Sequence, residues 1–526
     1  MSRGSRGALA RRILELRDRA AEFAARREAL RGMTTPAIER ATLRLLGIHG
    51  LDATGDPLAA AVVERAARAG PAGLGAGTAL PLAAAAVARG LGAQEAALAV
   101  ASGEIDIGLE AAFLQDPDRR AAAERQLAEW TAGAFERIDA NRTARHELGD
   151  ALGAGERPWI GARIGSLRLD DATAEARAFV SAGADALIVR VPRGREFVVR
   201  TGEAADERLP ADLDPPPAGS QRGLAALRSF LDELAAQRGA YLSLATATDG
   251  LAAPEQAIVA GFERVDLVFA DPFDEIARGV EPDRAFVDHA ATQRHLGRSG
   301  AILVLGPGPL LSGPEMARGE SLAGLIRVGR SIAAQAAAAA WAGASDLAPG
   351  QVMFQAPFEL PADAGGGALL VAEMTVRRLL HPDHGLVLSE SPAGGPDAWR
   401  LALPLCLAAG GPAQLVVQAA PPDAFAWRAA DVRVGASLAQ VLGRALDRVD
   451  VDVPLPLGDE VLALALDLSA VAVETLEFAV EEGWGSLVGS VRLVEEGGSA
   501  RLGAAGVVAL RDYAGPMVAT GAREGG

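Results

Sequence analysis

Trp159-Ile-Gly-Ala-Arg-Ile-Gly165, a helical spacing over 171–182, and then Ala186-Leu-Ile-Val-Arg-Val191 make up the stretch that decides the fold. Two short aliphatic runs separated by a helix-length segment, with no tight hairpin signal between them, form the pattern of a parallel βαβ unit. The same rhythm continues outward from it. Candidate strands fall at 159–165, 186–191, 240–246, 265–270, 301–305, 351–355, 385–389 and 413–418. Helical patterns follow at 171–182, 223–237, 254–262, 282–296, 321–342, 366–379 and 397–409. Eight strands with intervening helices over roughly 260 residues predict an α/β chain built as a closed (β/α)8 TIM barrel, the doubly wound open sheet being the other arrangement this pattern allows.

The flanks read differently. Residues 1–155 show helical spacing at 8–30, 35–47, 56–69, 78–90, 93–102 and 117–148, predicting an N-terminal helical extension ahead of a barrel at 156–420. Residues 421–526 form an accessory region, with helices expected at 435–448 and 459–483 before a Gly-rich segment that contains Asp512-Tyr513 and Pro516. One connection is long and without pattern, Thr201 to Ser220, with Pro215-Pro216-Pro217 inside it. It is expected either over the active-site face or as a surface insertion.

Composition excludes several chemistries. All 51 residues counted as Lys+Arg are arginine. Without a lysine amine the chain cannot by itself complete a Schiff-base aldolase, a Walker-type ATPase or a pyridoxal phosphate site that holds its cofactor covalently, because arginine is not deprotonated to attack a carbonyl. A net charge of −17 argues against a nucleic-acid or anionic-membrane surface. The single cysteine, Cys406, excludes an internal disulfide and a Cys-rich metal site, so a reducing cytoplasm is expected. No apolar stretch is strong enough to predict a membrane span, and the acidic residues among the first arginines predict neither a signal nor a transit peptide. Those arginines, over 3–31, read as a solvated helix face.

Barrel enzymes carry their chemistry after the strands, which selects the candidate residues. Arg190 ends the second strand, Asp249 follows the third, Asp271 and Phe273 follow the fourth, and the Gly306-Pro-Gly308-Pro turn follows the fifth. Gln355 ends the sixth; Ser389, Glu390 and Ser391 follow the seventh before Gly394-Gly395, where hydroxyls and flexible backbone suit a phosphate. His381-Pro-Asp-His384 has no third histidine nearby and reads as a polar loop entering the seventh strand, so no metal site is predicted. Asp288-His289 falls inside a predicted barrel helix and reads as structural.

Residues 34–52, Thr-Thr-Pro-Ala-Ile-Glu-Arg-Ala-Thr-Leu-Arg-Leu-Leu-Gly-Ile-His-Gly-Leu-Asp, together with Gln94-Glu95 and Ala101-Ser102-Gly103-Glu104-Ile105-Asp106, carry a resemblance to a known family. It continues through Gly250-Leu251, Pro254-Glu255, Phe262-Glu263-Arg264-Val265-Asp266, Asp271 and Phe286-Val287-Asp288, and reaches Asp512-Tyr513 and Pro516. The chain resembles the α subunit of lysine 5,6-aminomutase as a diverged member. That resemblance implies a barrel acting with a smaller β subunit that brings the adenosylcobalamin-binding domain and the lysine for pyridoxal 5'-phosphate. It further implies a radical 1,2-amino shift on a small, lysine-like diamino acid within a hetero-oligomer. Such a division of labour suits a chain with no lysine and no Asp-x-His-x-x-Gly cobalt-ligand motif.

The resemblance also assigns cofactor contacts. Arg190 matches a family arginine after the second strand, and Arg278 aligns with another across a one-residue gap. Phe273 lies nearest to a family tyrosine that stacks on the cofactor, and Asp249 stands at a serine position. Gly308-Pro309 replace an Asp-Asn pair. Ser389 and Ser391 are the remaining cofactor-binding candidates. Losing several polar contacts, each worth about 1.5–3 kcal/mol when charge-assisted, leaves two classes open. One is a catalytic α subunit; the other is a diverged, weak or inactive barrel that serves as a binding or assembly partner of the cobalamin-binding subunit.

Overall fold

In the computed structural model of the chain, eight parallel strands close into a barrel. They are Trp159–Arg163, Ala186–Val191, Ser243–Thr248, Leu267–Phe269, Ile302–Leu305, Val352–Phe358, Gly385–Glu390 and Leu415–Val417. The last pairs with the first, Val417 opposite Gly161, so the sheet has no free edge and the open-sheet arrangement is excluded. The structure describes residues 3–68, 74–153, 158–166, 168–191, 218–248, 253–277, 280–306, 321–343, 347–358, 366–390, 415–417, 429–446, 458–482 and 508–509. The expected helix at 397–409, Asp512-Tyr513 and most of the 201–220 connection lie outside these residues.

Side-chain alternation along the strands builds two cores. Ile160, Ala162, Leu187, Val189, Leu244, Val268, Leu303, Phe354 and Leu388 face outward beneath the helices. Ala186, Ile188, Ala245, Leu267, Val304, Met353 and Val387 face the lumen with Trp159, Ala247 and Phe269 packed against them. The period of two fixes both sets at once, since a one-residue slip would exchange them.

Helices Leu169–Ala182, Gln221–Arg238, Ala253–Phe262, Pro282–Ser299, Ser321–Gly343 and Gly366–Leu380 surround the strands. Their ends follow local chemistry. Ser220 Oγ accepts the Gly223 N–H at 3.1 Å, and the Glu281 carboxylate accepts from Asp283 and Arg284 ahead of Pro282 at the first helical position. Gly183 ends its helix at φ 110°, a left-handed conformation that an L side chain resists.

Helices Arg3–Arg26 and Asp459–Glu482 pack on each other and on Ser321–Gly343 and Gly366–Leu380 along one flank. Leu9, Ile13, Leu16, Ala20 and Phe23 form the buried stripe of the first helix. Not all of its arginines are merely solvated. Arg17 donates to the carbonyls of Leu379 and Leu380, at 2.6 and 3.1 Å, and so caps the C-terminus of Gly366–Leu380. At Gly329 a Cβ would stand 2.6 Å from Val471 Cγ1, which is how closely the helix of Ser321–Gly343 approaches that of Asp459–Glu482.

Helix Pro36–Leu45 is fastened to the barrel helices by buried polar groups. Thr35 caps it by accepting the Ile38 N–H and also donates to Asp288 Oδ1. Thr34 and Thr78 donate hydroxyls to Glu39, each at 2.6 Å. Arg40 and Arg44 hold the two oxygens of Glu255 at 3.2 and 2.7 Å. At the N-terminal end of the barrel, Asp266 accepts from Tyr241 at 2.7 Å, from the Leu244 N–H at 2.8 Å and from Arg228 at 3.1 Å.

Two features depart from the sequence reading. Met33–Thr34, within the region expected to be all helical, pairs antiparallel with Val508–Ala509. Helices Ile107–Phe113 and Pro272–Ala277, of seven and six residues, were not predicted because fewer than two turns give no readable period. No helix among the described residues is long and apolar enough to cross a membrane.

Candidate functional site

The C-terminal mouth of the barrel is lined by the last inward-facing residue of each strand. On the first strand Ile160, Ala162 and Ile164 face the helices, so Gly161 and Arg163 face the lumen. On the second, Leu187, Val189 and Val191 face outward, which turns Arg190 to the same interior side as Ile188. Arg163 is opposite Ile188 in the ladder, so Arg190 sits one lumen layer nearer the mouth on the adjacent strand. Two cations therefore occupy neighbouring strands at the end where barrels carry out chemistry.

Their surroundings differ. Arg190 is exposed, whereas Arg163 is partly buried and its Nε is shielded from solvent with no hydrogen-bond partner among the described residues. Burial pushes the Arg163 guanidinium pKa below its ordinary value. Arginine cannot escape the penalty by neutralising, so an unpaired buried guanidinium costs on the order of several kcal/mol.

Around the rim, Asp271 Oδ1 accepts the Phe273 N–H at 2.8 Å and starts the helix of Pro272–Ala277. A Cβ at Gly306 would come within 3.0 Å of Asp271 Oδ2, so only glycine leaves that carboxylate undisturbed. Gln335 donates to the Gln355 carbonyl at 3.0 Å and to the Leu305 and Gly306 carbonyls at 3.4 Å, tying the end of the fifth strand to the middle of the sixth, which runs three residues past the expected end at Gln355. Arg377 fixes Gln335 through its Oε1, while Glu373 and Ser331 hold Arg377 at 2.8 and 3.0 Å. Gln355 shares the lumen face with Met353.

The sequence-derived residues fall as follows. Arg190 is at the mouth. Phe273 is 1% exposed and meets Phe286 edge-on at 5.6 Å, within an aromatic group that continues to Phe23 at 5.3 Å and Trp341 at 5.7 Å. Ser389 is the fifth residue of the seventh strand, opposite Pro357. Asp249, Arg278, Gly308-Pro309 and Ser391 lie outside the described residues. Arg163 was missed, although an arginine inside the apolar run Trp159-Ile-Gly-Ala-Arg-Ile164 was a readable signal for a cation facing the lumen.

The histidines take structural places. His381 is partly buried, with its Nε2 shielded from solvent; it stacks on Phe354 with ring centroids 3.8 Å apart and is held neutral by desolvation and by the neighbouring His384, Arg377 and Arg17. His289 and His295 lie buried in the helix of Pro282–Ser299, where burial pulls both pKa values down to about 3. Among the described residues no group of three His, Cys, Asp or Glu side chains could hold a metal ion.

The sequence pattern of the D-lysine 5,6-aminomutase TIM-barrel domain of the alpha subunit matches residues 10–315. Since that is more than half of the chain, the protein belongs to this family of barrel subunits. It is 28% identical over 301 residues to the lysine 5,6-aminomutase alpha subunit of Fusobacterium nucleatum, covering 56% of this chain and 55% of that one. It is 27% identical over 278 residues to the corresponding subunit of Acetoanaerobium sticklandii, covering 52% and 51%. The chain thus spans about half the length of the curated relatives it matches. Among solved structures, 7,8-dihydropteroate synthase from Vibrio fischeri aligns with a TM-score of 0.33 at 14% identity, over 57% of this chain and 95% of that one.

Proposed function

We propose that this chain is the barrel subunit of an adenosylcobalamin- and pyridoxal phosphate-dependent aminomutase that moves an amino group between adjacent carbons of a lysine-like diamino acid. The observation that carries the reading is the family match over residues 10–315 combined with two arginines at the lumen mouth. The donor set suits an anionic cofactor held without a covalent bond: Arg163 and Arg190 offer guanidinium contacts to a phosphate, and no lysine is present to bind the aldehyde. A smaller partner subunit would supply that lysine and the corrinoid. The pyridoxal group, when bound, supplies an electron-delocalising ring for the migrating nitrogen.

In this reading the chain's own residues bind and enclose. Arg190 and Arg163 neutralise phosphate or carboxylate charge. The apolar lumen floor of Ile188, Leu267, Val304 and Met353 keeps water from a reactive site. Asp249, Arg278, Ser389 and Ser391 complete the set proposed to contact the cofactor, whereas Phe273 is taken up by the aromatic core with Phe286 and is not presented to the lumen as a stacking ring. Division of the chain into 1–155, 156–420 and 421–526 follows the same reading, with a cytoplasmic location.

The changed positions bear on turnover. Gly308-Pro309 offers no side-chain hydrogen bond, and Asp249 adds a carboxylate where a hydroxyl is expected beside an anionic cofactor. Aminomutation of lysine is therefore expected to be weak, and the second reading, an assembly partner without turnover, rests on the same residues. The test combines the chain with its cobalamin-binding partner, both cofactors and D-lysine or β-lysine under anaerobic conditions. Formation of the 5-amino product supports an aminomutase. A complex that assembles and binds both cofactors yet turns over no diamino acid refutes it in favour of the assembly role.

A further inference from the structure

We infer that Arg163 is an oxyanion-binding residue: with Arg190 one layer above it, it forms a subsite inside the barrel lumen for a phosphate monoester or a carboxylate. The ligand's identity rests on the aminomutase reading, whereas the oxyanion chemistry does not. Three observations converge on it.

The first is the contrast with the other enclosed arginines. Arg228 is held by Asp232 and Asp266 at 2.7 and 3.1 Å, Arg377 by Glu373 at 2.8 Å, and Arg44 by Glu255 at 2.7 Å. Arg163 has neither an ion pair nor a hydrogen bond among the described residues, and its Nε is shielded from water. A guanidinium placed there for stability would be expected to have such a partner.

The second is position. Arg163 is the last residue of the first strand and faces the lumen, at the end of the barrel where ligands bind. The third is room. Its lumen neighbours are Ile188 directly opposite, Gly161 below it on its own strand, and the small Ala186, Ala245 and Ala247 on the next two strands, whereas Leu267, Phe269, Val304 and Met353 line the opposite wall. The side that carries the cations is thus lined mainly by small residues, and planar guanidinium donors suit a multi-oxygen anion there.

The experiment compares the full-length chain with its R163Q and R163K variants by thermal melting and by titration with three probes: inorganic phosphate, pyridoxamine 5'-phosphate and lysine. In anion-poor buffer R163Q should melt above wild type, because the uncompensated charge is gone. Phosphate should then raise the wild-type melting point and leave R163Q in place, since only a state that binds the anion gains stability. Pyridoxamine phosphate should bind wild type about tenfold or more tightly than R163Q, with R163K in between.

Dependence on Arg163 for pyridoxamine phosphate but not lysine assigns the cofactor phosphate as the source. The reverse assigns the substrate carboxylate. Dependence for inorganic phosphate alone keeps the subsite and removes the aminomutase ligands, so failure of the functional reading shows separately. Equal shifts in wild type and R163Q with every probe, or no binding of any, overturn the inference.

Discussion

Replacing Glu255 by glutamine tests how the N-terminal helices are held to the barrel. Glu255 is 4% exposed and receives Arg44 on one oxygen at 2.7 Å and Arg40 on the other at 3.2 Å. Burial alone would raise its pKa, but the two guanidiniums outweigh it and hold the carboxyl below its ordinary range. Two charge-assisted hydrogen bonds at about 1.5–3 kcal/mol each predict a loss of roughly 3–6 kcal/mol, which agrees with the ~3–5 kcal/mol typical of removing one member of a buried ion pair. Glutamine keeps one acceptor but turns an N–H toward an arginine, so the cost should fall in the upper half of that range. Urea unfolding at neutral pH measures it, followed by tryptophan fluorescence. The triple variant R40M/R44M/E255M should recover most of the loss, because apolar groups of similar volume remove the uncompensated charges. A loss below about 1 kcal/mol for E255Q, or a triple variant no better than the single one, would refute the reasoning. The folded-state pKa is depressed, so this stabilisation is fully present above the unfolded value and disappears as pH falls through the folded one.

Three other outcomes are expected. Gly329→Ala should cost about 1–3 kcal/mol by overpacking, since the new Cβ meets Val471 at 2.6–2.7 Å, and Val471→Ala in the same chain should restore part of it in thermal melting. Asp288 is pushed up to about 6 by burial, with Arg284 and Thr35 only partly offsetting it, so the folded state binds its proton more tightly than the unfolded one. Its ionisation therefore weakens the fold as pH rises from about 4 to 6, and the melting point of wild type relative to D288N should be higher at pH 5 than at pH 7; the opposite order would contradict the assignment. Borohydride reduction of the chain in pyridoxal phosphate should leave no pyridoxyl label on any side chain, as read by peptide mass spectrometry, because all 51 Lys+Arg residues are arginine.

The barrel was legible because its signal is local and repeated. Ala186–Val191 has the same limits in sequence and structure, and each of the other strands shifts by one to three residues at one end or both. Long amphipathic helices such as Ala93–Ser102 were equally readable. What could not be read was pairing at distance. Thr35 with Asp288 and Arg40 with Glu255 are separated by 253 and 215 residues, and no spacing rule links them. Several residues that carry the family resemblance, Glu39, Arg44, Glu255, Asp266 and Asp288 among them, belong to these buried polar clusters. In this chain they seat the helices on the barrel. Arg163 was hidden for a different reason: the apolar run continues through Ile164 to Gly165, which puts this side chain inside the expected strand, whereas the strand ends at Arg163.

The helix of Arg3–Arg26 is made more than 400 residues before its partner, Asp459–Glu482. At a synthesis rate of about 5–20 residues per second, the stripe of Leu9, Ile13, Leu16 and Phe23 stays without that cover for some tens of seconds on the ribosome. The region matched by the family pattern, residues 10–315, ends well before that cover exists. A nascent chain or an expressed fragment that stops short of residue 321 would leave the stripe without the helices of Ser321–Gly343, Gly366–Leu380 and Asp459–Glu482, and one that stops short of 459 would still lack the last of them.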